Sequence, residues 1–152
     1  MIAVDPRSLL VEVTGDTRLA EVEAALALQD LTLDLDPLPA ATVAAWLAEG
    51  APGARDPWLD PVDHLVAGFD ARLTNGTELR VRPGPRRAVG PDLLALFFGA
   101  RGRFGRITRA HLRAHKKGAV RPTTHPLVHP RDPDVTPQEA ALLDALASEL
   151  AR

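Results

Sequence analysis

Gly99, Gly102 and Gly105 recur at every third position around Arg101, Arg103 and Arg106. Glycine lets backbone come close to a ligand or to another strand. A turn with free N–H groups can hold a phosphate, and guanidinium groups add charge-assisted bonds to it. Close strand packing and anion binding are both open for this turn. The spacing is not the dinucleotide fingerprint, and no phosphate-binding Gly-Lys-Ser/Thr loop occurs. The arginines begin a longer basic stretch. Arg101, Arg103, Arg106, Arg109, Arg113, Lys116, Lys117 and Arg121 follow one another with no acid between them. Such a stretch either meets a phosphate or an acidic partner, or is a solvated surface. Its one aromatic residue, Phe104, does not give the interleaving that base stacking needs, so nucleic acid is not an expected partner.

Other chemistries are narrowed by what the chain contains. Cysteine is absent, which removes disulfides, thiolate metal sites and cysteine nucleophiles. Ser8 and Ser148 are the only serines, and neither lies in a nucleophile elbow. Tyrosine is absent as well. Of the five histidines, His64 stands alone, His111 and His115 are four apart, and His125 and His129 flank a proline-containing loop. None lies in a zinc-binding context, so no metal site and no catalytic residue are expected. Asp63 and Asp92 precede regular elements, where capping is the ordinary role of an acid.

These residues must be positioned by one domain's worth of chain, 152 residues with a net charge of -2. No run of 18 apolar residues offers a membrane span. The opening residues lack a signal-peptide layout, and the expected location is the cytoplasm. Leu9, Val11 and Val13 alternate as in a strand. Leu19, Val22, Ala25 and Leu26 place one apolar stripe on a helix over residues 18–29, with Thr17 as its cap. Leu31, Leu33 and Leu35 alternate with polar residues, a half-buried strand or extended segment ended by Pro37. Thr42 opens a short helix, Val43 to Glu49, and Gly50 stops it. Residues 50–61 form an irregular loop holding Arg55 and Trp58.

The clearest local signal is a hairpin. Residues 65–73 and 77–82 read as strands around Asn75-Gly76, the favoured pair of a two-residue type I′ turn. Asp92 caps a helix over Leu93 to Phe98. Ile107 to Ala114 reads as a strand of the same sheet. Residues 116–135 form a Pro/His-rich linker. Residues 136–152 form a last helix, opened by the capping box Thr136-Pro137-Gln138-Glu139 and striped by Leu142, Leu143, Leu146 and Leu150. Those leucines need covering, by the body or by a partner. The fold class is α+β, a small antiparallel sheet flanked by helices.

Three segments taken in order resemble a known family. They are Thr42-Val43-Ala44-Ala45 with Gly50-Ala51-Pro52-Gly53; Asp63 to Gly68 leading into Asn75-Gly76; and Gly90-Pro91-Asp92-Leu93 followed by Phe97 to Thr108. The set is similar to the second part of the FAD-binding domain of the vanillyl-alcohol oxidase (PCMH-type) family, the family of D-lactate dehydrogenase, glycolate oxidase and alkyldihydroxyacetonephosphate synthase. The resemblance covers residues 1–115, which read as a partial FAD-binding-like domain. It implies FAD as cofactor. Thr42, Val43, Ala44, Ala45, Gly50 and Gly53 would line the flavin and its pyrophosphate. Asp92, Gly99, Gly102, Gly105 and Ile107 would lie along it. Ala44 and Ala45 stand where the family has paired glycines, Leu59 stands at another usual glycine, and Arg101 and Arg103 fall where the late turn is small and acidic. The family's pyrophosphate loop and substrate domain are expected to lie outside this chain. The resemblance therefore implies a truncated, non-catalytic accessory subunit derived from an FAD-dependent 2-hydroxy-acid oxidoreductase, with weak or absent FAD binding alone and a protein partner or a homo-oligomer as its context. The alternative is a half-site completed by a second chain that supplies the pyrophosphate loop.

Overall fold

The computed structural model describes residues 1–54, 65–84, 93–119 and 137–152. Five strands build the main sheet: β1 (Ile2–Asp5), β2 (Leu10–Thr14), β4 (Val66–Leu73), β5 (Glu78–Val81) and β6 (Gly105–Arg113). Their order is β1-β2-β6-β4-β5, and every neighbouring pair is antiparallel. Two short strands, β3 (Leu31–Thr32) and β7 (His115–Lys116), pair separately. The body thus runs through Lys116, into the stretch read as linker.

One face of the sheet is apolar. Val11, Val13, Val66, Phe69, Ala71, Ile107, Ala110 and Leu112 are buried there. Helix α1 (Leu19–Ala27) adds Leu19, Val22 and Leu26, and helix α2 (Val43–Ala48) adds Val43, Trp46 and Leu47. All belong to one hydrophobic cluster, in which Phe69 and Phe97 meet edge to face at 5.6 Å. Covering one face and leaving the other open is the usual economy of an antiparallel sheet.

Strict alternation would not produce this face. Ile107 and Ala110 both point inward although three residues apart, and so do Val66 and Phe69. The register explains both. Asp70 pairs with Arg109 and Ala71 with Ile107, so Thr108 is an extra residue on β6; Val66 pairs with Leu112 and Gly68 with His111, so Ala67 is extra on β4. Each bulge resets the parity of its strand.

Several expected boundaries shift. The hairpin forms, but its loop has three residues: Leu73 N–H donates to the Thr77 carbonyl at 2.9 Å, and Gly76 N–H to the Leu73 carbonyl at 2.9 Å. Gly76 has φ +85° while Asn75 keeps a negative φ, so the two-residue type I′ turn is corrected to a turn followed by a left-handed glycine. Thr17 does not cap α1. It is buried, its hydroxyl lies 2.9 Å from that of Thr14, and Arg18 is the N-cap with no side-chain bond. The Leu19 N–H is taken instead by the Ala41 carbonyl at 3.0 Å. Over residues 31–36 only two residues pair as strand, although Leu31 and Leu33 are buried as expected. The Leu93–Phe98 helix is a 3₁₀ turn over Leu93–Leu96. Its expected cap, Asp92, lies outside the described residues, as do Thr136, His64, His125 and His129.

Strand β1 was missed by pattern reading. Its signal is the turn that follows, where the Asp5 carboxylate accepts from the N–H groups of Arg7 at 3.0 Å and Ser8 at 3.2 Å. The last helix, α3 (Pro137–Leu150), forms but has no buried residue. Ala140, Leu143, Ala147 and Leu150 are half-buried along one face, whereas Leu142 and Leu146 are 62% and 48% exposed. Among the described residues nothing therefore covers two of the four leucines, Leu142 and Leu146.

Candidate functional site

Helix α2 gathers most of the residues that the sequence points to. Thr42 caps it as expected, its hydroxyl accepting from the Ala45 N–H at 3.4 Å. The other donors of the first turn are also engaged. Val43 N–H donates to the Thr17 carbonyl at 2.9 Å, Ala44 N–H to Gly15 at 2.8 Å, and Trp46 N–H to Thr42 at 2.9 Å. A helix start normally leaves its first N–H groups open to an anion. Here the Thr17 and Gly15 carbonyls, from the turn before α1, occupy the first two, and Thr42 takes the next. Gly15 is a central residue that no motif in the sequence singles out. Its own N–H donates to the Thr108 carbonyl at 2.8 Å, so it ties α2 to β6.

The other end of α2 meets the glycine turn. Gly99 N–H donates to the Leu47 carbonyl at 3.0 Å and Arg101 N–H to the Ala48 carbonyl at 3.0 Å. The Arg101 guanidinium reaches the Glu49 carboxylate at 3.2 Å. The turn therefore satisfies the open carbonyls of a helix C-terminus, which carry partial negative charge. Two of the donors that an anion would use at this turn, the N–H groups of Gly99 and Arg101, are spent on those carbonyls. Gly50 and Gly99 come face to face. A Cβ built on either would lie 3.8–3.9 Å from the other's Cα. Val43 and Ile107 are in the core, Ala44 is half-buried, and Ala45, Gly99 and Gly102 are exposed. Gly53 lies beyond α2 with φ +81°. Gly105 belongs to β6, packed against Arg72 of β4. The structure thus brings Thr42, Ala44, Ala45, Gly50 and Gly99 around α2; Gly105 and Ile107 are sheet residues, and the Ile107 backbone meets Ala44 of α2 across Gly15.

The basic stretch is divided between elements. Arg101 and Arg103 belong to the turn, and Arg103 lies 3.8 Å from Asp144 of α3. Arg109, His111 and Arg113 lie on the open face of the sheet. There Arg109 pairs with Glu12 at 2.7 Å and lies 3.8 Å from Asp70. Arg80 grips Asp70 with two bonds, at 2.9 and 3.1 Å. The Arg80 guanidinium, with Arg109 beside it, holds the Asp70 carboxyl below the ordinary carboxylate range. Among the described residues no group of three or more His, Cys, Asp or Glu is placed to hold a metal. No helix among them is long and apolar enough to cross a membrane.

The lowered Asp70 value gives a pH prediction. A carboxyl depressed on folding adds stability above its unfolded range, and that contribution is lost as pH falls through the folded value. Asp70→Asn is therefore expected to lower the melting temperature at neutral pH and to narrow its gap from the parent protein as the acid limb is reached. Melting curves across pH 2–7, on the order of the carboxylate range, check this. A gap of constant size would reject it.

No family model matches the chain. Its sequence is similar to "Uncharacterized FAD-linked oxidoreductase YgcU" of Escherichia coli strain K12, 34% identical over 55 residues. The protein of that name from Escherichia coli O157:H7 gives the same figures. The match covers 36% of this chain and 11% of the relative. Two structures of alkyldihydroxyacetonephosphate synthase share the fold. One matches with a TM-score of 0.61 and 24% identity, over 75% of this chain and 20% of the synthase. The other matches with a TM-score of 0.59 and 23% identity, over 74% and 22%. The chain spans a small part of each relative's length. Its architecture, a small antiparallel sheet flanked by helices, is shared with part of the synthase, and over 55 residues its sequence is similar to an FAD-linked oxidoreductase.

Proposed function

We propose that this chain is a non-catalytic accessory subunit, built on the second part of an FAD-binding domain and derived from an FAD-dependent 2-hydroxy-acid oxidoreductase. The carrying observation is the state of α2. Every N–H of its first turn is bonded within the chain, and the Gly99 and Arg101 N–H groups are spent on the far end of the same helix. A pyrophosphate needs several converging N–H groups. The N–H groups of Val43, Ala44, Ala45, Gly50 and Gly99, as folded here, are already engaged, and Ala44 and Ala45 add side-chain bulk at that place. In this reading the subunit acts in the cytoplasm, and the uncovered Leu142 and Leu146 belong to a contact with a protein partner or a second copy. Sedimentation over a concentration series tests the second copy; a monomer throughout rejects it.

The cofactor part is tested by colour and by titration. The purified protein is expected to be colourless, and calorimetry to show at most weak FAD binding that fades as salt rises. Tight, salt-insensitive, one-to-one binding would overturn the proposal. A second reading, a half-site completed by another chain, draws on the sequence similarity to an FAD-linked oxidoreductase. Yellow colour only in the presence of a co-purified chain would favour it over the accessory role.

A further inference from the structure

The open face of the sheet carries a cavity of about 230 Å³ lined by Glu12, Asp70, Arg80, Arg82, Arg109 and His111. Three features of the fold build it. The Thr108 bulge places Arg109 opposite Asp70. His111 stands opposite both Glu12 and Gly68. Gly68 then lets the chain leaving β5 fold over the sheet as a wall. A Cβ at residue 68 would lie 2.5 Å from the Pro83 nitrogen and 2.7 Å from the Val81 carbonyl oxygen. Only a glycine permits that crossing.

The charges in the cavity do not cancel. Glu12 is paired with Arg109, and Asp70 with Arg80 and Arg109. Arg82 has no carboxylate partner among the described residues. Three guanidinium groups therefore face two carboxylates, and the imidazole of His111 adds a further donor. Two residues along β6, Arg113 donates to the Gly84 carbonyl at 3.4 Å, while its buried Nε has no partner among the described residues. Arg113 is not among the residues that line the cavity; its bond to Gly84 helps hold the chain beyond β5 in place.

We propose that this cavity binds a small oxyanion, a carboxylate or phosphate group, through Arg82 and His111. Arg80 and Arg109 are held in place by their own carboxylates and supply the surrounding positive field. Size selects the class of ligand. Pockets for drug-sized molecules run from roughly 300 to 1,000 Å³. A cavity of this size suits the anionic group of a small acid or an ion of a few atoms. Guanidinium groups suit such anions because their paired N–H groups match two oxygens at once. The site shares no residue with α2 or the glycine turn, so it stands whether or not the chain holds FAD.

Nitrogen-edited NMR titrations with inorganic phosphate and with acetate, at constant ionic strength, test the proposal. Saturable shifts around Arg82 and His111, with a dissociation constant in the millimolar range, are expected for at least one probe, and the tighter probe identifies the group recognised. Arg82→Gln is expected to weaken that binding about tenfold, the effect of one lost charge-assisted contact. His111→Gln provides a second variant, should the first disturb folding as judged by its melting curve. Shifts that never saturate with either probe, or saturating titrations that neither substitution alters, would overturn the assignment.

Discussion

Replacing Gly105 with alanine is expected to lower the melting temperature by roughly 6–12 °C, the shift that about 3 kcal/mol produces in a domain of this size. Two costs add. Gly105 has φ +148°, a conformation closed to residues with a side chain. Its Cβ would also overlap the Arg72 carbonyl oxygen and lie 2.8 Å from the Leu73 Cα. Those atoms are backbone of the central strand pair and cannot swing aside. Overpacking of this kind costs about 1–3 kcal/mol, and backbone strain a similar amount. Gly99→Ala is the matched control. It shares a positive φ, +70°, but its Cβ would find nothing closer than 3.9 Å. A smaller loss is expected there, about 1 kcal/mol. Calorimetric melting of both variants separates the roles that the even spacing of the glycines had left open. Similar shifts for the two would contradict the assignment of Gly105 to strand packing.

The elements of this fold are legible in the sequence wherever one residue dictates local geometry. Thr42 announces α2, the leucine and valine spacing announces α1, and Asn75-Gly76 announces a hairpin. Register is not legible to the same degree. A two-residue loop at 75–76 pairs Asp70 with Val81. The three-residue loop that forms pairs it with Arg80. A shift of one residue across the hairpin therefore hides the ion pair at the centre of the charged face. The bulges hide the rest. Ile107 and Leu112 have opposite parity, which argues against one regular strand until Thr108 is read as an extra residue. Had that parity break been followed, Arg109 and His111 would have fallen on one face and the basic stretch would have split.

What sequence could not show is which distant carbonyls take the donors of α2. Gly15 and Thr17 precede that helix by a whole helix and an extended segment, and no local pattern joins them to residues 43 and 44. The resemblance to an FAD-binding domain names residues near a cofactor, but the hydrogen bonds decide whether those residues still have anything to offer one. That distinction is physical. Any anion arriving at α2 must displace bonds of 2.8–3.4 Å already made within the chain.

Because α2 is stapled at both ends, its buried anchor has a large effect. Trp46 is 1% exposed in the centre of the core, and its indole N–H donates to the Pro52 carbonyl at 2.9 Å. Trp46→Ala removes the largest buried side chain among the described residues, which typically costs about 3–5 kcal/mol. The expected fall in melting temperature is roughly 10 °C or more. Trp46→Phe divides that loss into parts. Phenylalanine keeps most of the apolar contact and removes the donor, so the cost of the Pro52 bond alone is expected to be about 1 kcal/mol, with some added cavity. Thermal melts of the two variants give the ratio. A phenylalanine variant as unstable as the alanine one would mean that the bond to Pro52, and through it the turn at residues 50–54, holds α2 more strongly than packing does. A phenylalanine variant as stable as the parent would assign the anchor to packing alone. The expected order, parent above phenylalanine above alanine with the larger step last, follows from a helix held mainly by its buried face and only secondarily by its polar ties.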